Sequence, residues 1–162
     1  MRIIHIISTL LIIFLVASCD KLPENGKLDG MWQIMSVNYA HGAEYDSIVN
    51  LKSEKVFLSF QLKLAQFRTG NLSNDNLPAI VYSRFKYSGS TIRFYNFYFH
   101  ENHIGENESD NFVDDILLTD STTKSLQCLG INGITAIFHI DKLDGDKMQL
   151  SSDYAQMICR KF

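Results

Sequence analysis

The sequence has no surplus of positive charge: 15 lysines and arginines stand against 18 aspartates and glutamates in 162 residues. Phosphate backbones demand clustered Lys and Arg, so nucleic acid is excluded as a partner, and no basic run for anionic lipid is visible. Cysteine is scarce as well, with three in the chain, which excludes a disulfide-built scaffold. The longest apolar run falls short of the roughly 20 residues that a membrane-crossing helix needs. No glycine loop able to cradle phosphate is present, since Gly130-Ile131-Asn132-Gly133 is only long enough for a turn. No Ser, Cys or His stands in a recognisable nucleophile setting. The chain is therefore not expected to be an enzyme, and no cofactor is implied.

What is present begins at the N-terminus. After Arg2, the stretch Ile3, Ile4, Ile6, Ile7, Leu10, Leu11, Ile12, Ile13, Phe14, Leu15 and Val16 carries no charged side chain. That is the layout of a secretory signal. It ends in Leu15-Val16-Ala17-Ser18-Cys19, which resembles the bacterial lipobox. Small side chains there suit a signal peptidase, and only a thiol can form the thioether to diacylglycerol. The resemblance implies cleavage before Cys19, acylation of Cys19, and a protein held to a membrane by buried acyl carbons at about 0.8 kcal/mol per methylene. Residues 1–18 then read as the leader, 19–28 as a lipidated tether rich in polar residues with Pro23 and Gly26, and 29–162 as the folded domain. Loss of the leader leaves 14 basic against 18 acidic side chains, a formal charge of −4. The expected location is the bacterial cell envelope, with the outer membrane favoured, and the membrane itself is a partner through Cys19.

Beyond the tether, apolar residues recur with a period of two between glycines, the rhythm of antiparallel strands. Trp32 and Ile34 alternate with Met31, Gln33 and Met35. Val56, Leu58, Phe60, Leu62 and Leu64 predict one strand with a continuous apolar face. Residues 80–87 and 91–99 flank Ser88-Gly89-Ser90 and predict a hairpin. A second hairpin is expected across Asp144-Gly145-Asp146, between 134–143 and 148–150, and a last strand over 154–162. Residues 40–53 read as a long connection with a short helical turn. Residues 100–130 interrupt the rhythm: Asn111 suits the N-cap of a short helix carrying Phe112, Val113, Ile116 and Leu117, and 122–129 reads equally as a short helix or a strand.

A β domain of this length opening on Gly30-Met31-Trp32 resembles the lipocalin superfamily, and the lipocalin-like domains of bacterial lipoproteins in particular. The resemblance covers roughly residues 28–162. It implies an all-β fold, an antiparallel up-and-down barrel with one or two short helices in the 100–130 insertion. It also implies that Gly30 and Trp32 close one end of the barrel, with Arg160 laying its guanidinium across the indole. Arg160 shares parity with Ile158 and Phe162, and a cation over the ring would contribute ~0.5–2 kcal/mol. A small apolar or amphipathic ligand held in the barrel is the function implied. The alternative is a barrel filled by side chains that binds a protein or glycan from outside.

The remaining constellations are modest. Phe94, Tyr95, Phe97, Tyr98 and Phe99 form the densest aromatic run; one barrel interior cannot hide aromatics from both faces of a strand, so the run marks core beneath the insertion or a ligand or interaction patch. Cys128 and Cys159 allow one disulfide in an oxidising compartment or two free thiols. His100 and His103 are three apart, not the four that place two imidazoles on one helical face, and no metal site is expected. Glu106, Glu108, Asp110, Asp114 and Asp115 lack calcium-loop spacing and read as a solvated edge. Asp46-Ser47-Ile48 and Asp120-Ser121-Thr122 are similar to the O-glycosylation sites of some exported bacterial proteins.

Overall fold

A computed structural model of the chain describes residues 24–40, 47–73, 77–99, 116–119 and 123–162. The strands are β1 (Gly30–Tyr39), β2 (Ile48–Asn50), β3 (Phe57–Gln61), β4 (Leu64–Arg68), β5 (Ile80–Tyr87), β6 (Thr91–Phe99), β7 (Ile116–Leu117), β8 (Thr135–Leu143), β9 (Lys147–Ser151) and β10 (Ala155–Lys161). Eight of them, β1, β3, β4, β5, β6, β8, β9 and β10, pair antiparallel in chain order, and β10 returns to β1 to close the barrel. Closure leaves no unpaired sheet edge along the wall. The two short strands extend it: β2 pairs with the second half of β1 where β3 has ended, and β7 with the last residues of β6.

The alternating connections give the barrel two unlike ends. At one end, β3–β4, β5–β6 and β8–β9 are joined by short turns, and the 3-10 turn Gly26–Leu28 enters beneath β1. At the other end run the long connections, among them the 3-10 helix Thr123–Leu129. That helix resolves the alternative for residues 122–129. Its Leu126 and Leu129, with Leu51, Leu77, Leu118 and Ile131 from neighbouring loops, are buried in the same core as the strands. Tyr39 at the end of β1 donates to the Cys128 carbonyl at 2.9 Å, fixing the helix over the rim.

The rhythm of two is interrupted where the sequence offers no sign of it. The apolar series from Val56 to Leu64 is not one strand. It folds back at Leu62-Lys63 into β3 and β4, with Leu62 at φ 54 and 62% exposed. A leucine at positive φ is unusual; here Asn25 donates to the Leu62 carbonyl at 2.9 Å and ties the turn to the N-terminal segment. The stretch read as a connection at 40–53 contains β2. In β6, the extra residue Asn96, at φ 53, makes a bulge opposite Ser83 and Arg84, so Phe94 and Phe97 both point inward. The buried Ser83 hydroxyl lies 2.9 Å from the carbonyl oxygens of both Arg84 and Tyr95 and satisfies the ladder that the bulge breaks. The helix expected after Asn111, the acids between 101 and 115, and His100 and His103 lie outside the described residues, as do Cys19 and Ser121.

Candidate functional site

The short-turn end is sealed from below. Leu28 and Trp32 are fully buried, and the Trp32 indole N–H donates to the Leu28 carbonyl at 2.8 Å. Over the ring stands Lys161, its Nζ 4.4 Å from the centroid. The same ammonium donates to the carbonyls of Lys27 and Asp29. Burial pushes Lys161 below the ordinary lysine range, and the Asp29 carboxylate works the other way. Gly30 is required twice: its φ of +111 disfavours any side chain, and a Cβ there would sit 3.0 Å from Lys161 Nζ.

Arg160 does not take that place. Its guanidinium lies outside and donates to Gln33 Oε1 at 3.1 Å, while Ile158 and Phe162 are 39% and 70% exposed. The inward residues of β10 are Ala155, Met157 and Cys159. The apolar look of Ile158 and Phe162 misassigned the parity by one residue. Lys161→Ala is accordingly expected to cost ~0.5–2 kcal/mol. Arg160→Ala, at an exposed position, should stay within about 0.5 kcal/mol. Thermal unfolding of the two variants side by side measures this, and the reverse order would return the closure to Arg160.

Cys128 and Cys159 are free thiols, not a disulfide. Cys159 is an inward core residue of β10, whereas Cys128 lies on the capping helix and donates to the Ser125 carbonyl. Burial pushes Cys128 up to about 11 and Cys159 up to about 12, so both stay protonated and unreactive at neutral pH.

Above the floor the interior is aromatic. Trp32, Phe60, Phe67, Phe85, Phe94, Phe97 and Phe138 are each no more than 2% exposed. Phe94 lies at the centre, with ring centroids 6.0 Å from Phe60, 5.5 Å from Phe67, 6.5 Å from Phe97 and 5.9 Å from Phe138. A space large enough for water beside these rings would give them accessible surface, and they have almost none. Two of the five residues in the aromatic run are therefore core. Of the rest, Tyr98 stacks on Tyr82 on the outer wall at 5.6 Å, Phe99 is half-buried against the core, and Tyr95 is half-buried at a groove in the wall.

That groove, of about 280 Å³, is lined by Lys86, Arg93, Tyr95, Asn96 and Thr135. Lys86 and Arg93 face each other directly across β5 and β6, and Arg84 pairs with Tyr95 one step along. Of these residues sequence reading singled out Tyr95 alone and missed Arg84, Lys86, Arg93, Asn96 and Thr135. The available signal was charge segregation: from Lys55 to Phe99 there are six lysines and arginines and a single acid, Asp75, within a chain that is acidic as a whole. Among the described residues no three His, Cys, Asp or Glu side chains are grouped to hold a metal ion.

A family model described as a lipocalin-like domain matches residues 13–162. Among solved structures, a lipocalin-like protein from Bacteroides uniformis ATCC 8492 superposes with a TM-score of 0.55 at 21% identity, covering 85% of this chain and 100% of that one. An uncharacterized protein from Bacteroides eggerthii DSM 20697 gives a TM-score of 0.53 at 16% identity, covering 83% of this chain and 99% of that one. No protein with a curated description matches the chain.

Proposed function

We propose that this chain, which belongs to the lipocalin-like domain family, is an exported lipoprotein anchored through acylated Cys19, and that it binds a partner on its outer surface instead of enclosing a small apolar ligand. The family fold makes it a ligand-binding or interaction protein. The observation that carries the choice between the two is the burial of Trp32 and six phenylalanines through the barrel interior. Small-molecule sites are concave and pre-formed, and the close contacts between these rings support an interior given over to packing among the described residues. The reading assigns no reaction to the chain.

Orientation follows from the chain's path. The tether leads into the turn Gly26–Leu28 at the Trp32 end, so a domain anchored at Cys19 would rest with that end towards the lipid. The long connections and much of the wall would then face the aqueous side. On this reading the protein belongs to the bacterial envelope, in the outer membrane by preference. Ser47, one of the two serines in a glycosylation-like setting, is exposed beside β2 and open to modification.

Native mass spectrometry of the protein extracted from its own membrane tests the interior. The acylated chain is expected without a co-purified small molecule. A stoichiometric apolar adduct that an added fatty acid displaces would overturn the filled-barrel reading.

A further inference from the structure

The groove on the wall points to a specific chemistry, on the reading above that recognition occurs on the outside of the barrel. Lys86 and Arg93 are directly cross-strand neighbours, and like charges so placed repel. Proteins usually offset such a pair with a nearby carboxylate. Among the described residues none pairs with them: the strands β3, β4, β5 and β6 contain no aspartate or glutamate, Asp141 on the neighbouring β8 accepts from the Ser151 hydroxyl on β9, and the one ion pair is Lys142 with Asp144 on the β8–β9 hairpin. Lys86, Arg93 and Arg84 are all exposed. A repulsive pair left uncompensated on a net-acidic protein is a site waiting for an anion.

The surroundings narrow the class. The half-buried Tyr95 lines the groove together with Thr135 and Asn96, residue types that bring an aromatic ring, a hydroxyl and an amide. Asn96 is held there by the bulge of β6. A volume of about 280 Å³ lies at the low end of small-molecule sites, which run to ~1,000 Å³, and so fits one ring-sized group. An extended peptide commonly docks by adding a strand to a free sheet edge; the groove lies between β5, β6 and β8, which are paired with one another there, and the outer edges of the described strands are on the short β2 and β7.

We infer that the groove formed by Lys86, Arg93, Tyr95, Asn96 and Thr135 binds an acidic saccharide unit. The carboxylate is taken by the Arg93 guanidinium and the Lys86 ammonium, which suit planar and point-charge recognition respectively. The sugar ring lies against Tyr95, and its hydroxyls exchange hydrogen bonds with Thr135 and Asn96.

Calorimetric titration of the full chain in non-ionic detergent tests this, with a trimer of galacturonate as the probe and maltotriose as its neutral counterpart. The acidic trimer is expected to bind, more weakly as salt rises, and maltotriose to give no heat. Lys86→Gln together with Arg93→Gln should weaken binding by at least about tenfold, the loss of one charged hydrogen bond or more. Lys124→Glu, on the 3-10 helix Thr123–Leu129 and not among the residues that line the groove, should leave it unchanged. Circular dichroism establishes that each variant is folded.

No binding of the acidic trimer, or binding that the double variant leaves intact, overturns the inference. Equal binding of triglutamate would reassign the groove to acidic polypeptide. Retention on phosphatidylglycerol over phosphatidylcholine vesicles that vanishes in the double variant would reassign it to a membrane surface. The two readings fail separately. An apolar molecule inside the barrel sinks the filled-barrel function without touching the dependence on Lys86 and Arg93, and a silent titration removes the saccharide while leaving the interior filled.

Discussion

Phe94→Ala is expected to destabilise the domain by about 3–5 kcal/mol, the range for truncating a fully enclosed phenylalanine. The ring is completely buried and meets Phe60, Phe67, Phe97 and Phe138. Part of the loss is transfer of apolar surface, and part is the cavity left because four rings held by four different strands cannot all move inward. Against a typical total stability of about 5–15 kcal/mol the effect is severe, on the order of 10–20 °C in Tm. Urea unfolding monitored by Trp32 fluorescence measures it. Tyr95→Ala, one residue along but facing the groove, serves as the control at about 1 kcal/mol or less. Should Phe94→Ala cost no more than Tyr95→Ala, the interior would not be tightly filled, and the case for recognition on the outer wall would lose its main support.

Cys19→Ala is expected to act completely. Thioether formation needs the thiol, and cleavage of this class of leader follows acylation. The variant should take up no labelled palmitate and keep residues 1–18, whereas the native chain should begin at Cys19 and carry the mass of its acyl chains. Each buried methylene contributes ~0.8 kcal/mol, so a multiply acylated terminus does not leave the bilayer, while a single short chain would exchange. Intact-mass measurement and palmitate labelling decide the matter together. A Cys19→Ala chain processed to the native length and retained on the membrane like the native one would refute lipid anchoring.

Much of the architecture was legible in residue order, and its failures are local. The hairpin over Ser88-Gly89-Ser90 was readable because Gly89, at φ +85, tolerates a conformation that other residues resist. The hairpin at Leu62-Lys63 was not, because a leucine holds the positive φ and lies in register with the apolar series on either side. Strict alternation also excluded having Phe94 and Phe97 on one face. The bulge at Asn96 allows it, and no residue type announces a bulge that a buried serine stabilises from the neighbouring strand. In β10 two interleaved sets competed, Ala155, Met157 and Cys159 against Ile158 and Phe162. The more hydrophobic pair lost because parity is set by pairing with β1. Once that register was fixed, Lys161 and not Arg160 came to lie over Trp32.

Residue order alone therefore determined the properties that depend on near neighbours: the two-residue rhythm, and Gly30-Met31-Trp32 opening the first strand; the proposal of a leader ending before an acylated Cys19 rests on residue order too. Closure into eight strands, an interior occupied by rings, and two cations set face to face on the wall were decided only in three dimensions. The physical reason is that a strand's inward face is reset at every bulge and turn, and its partners come from distant parts of the chain. Which side chains meet is thus a property of the register that the whole sheet adopts.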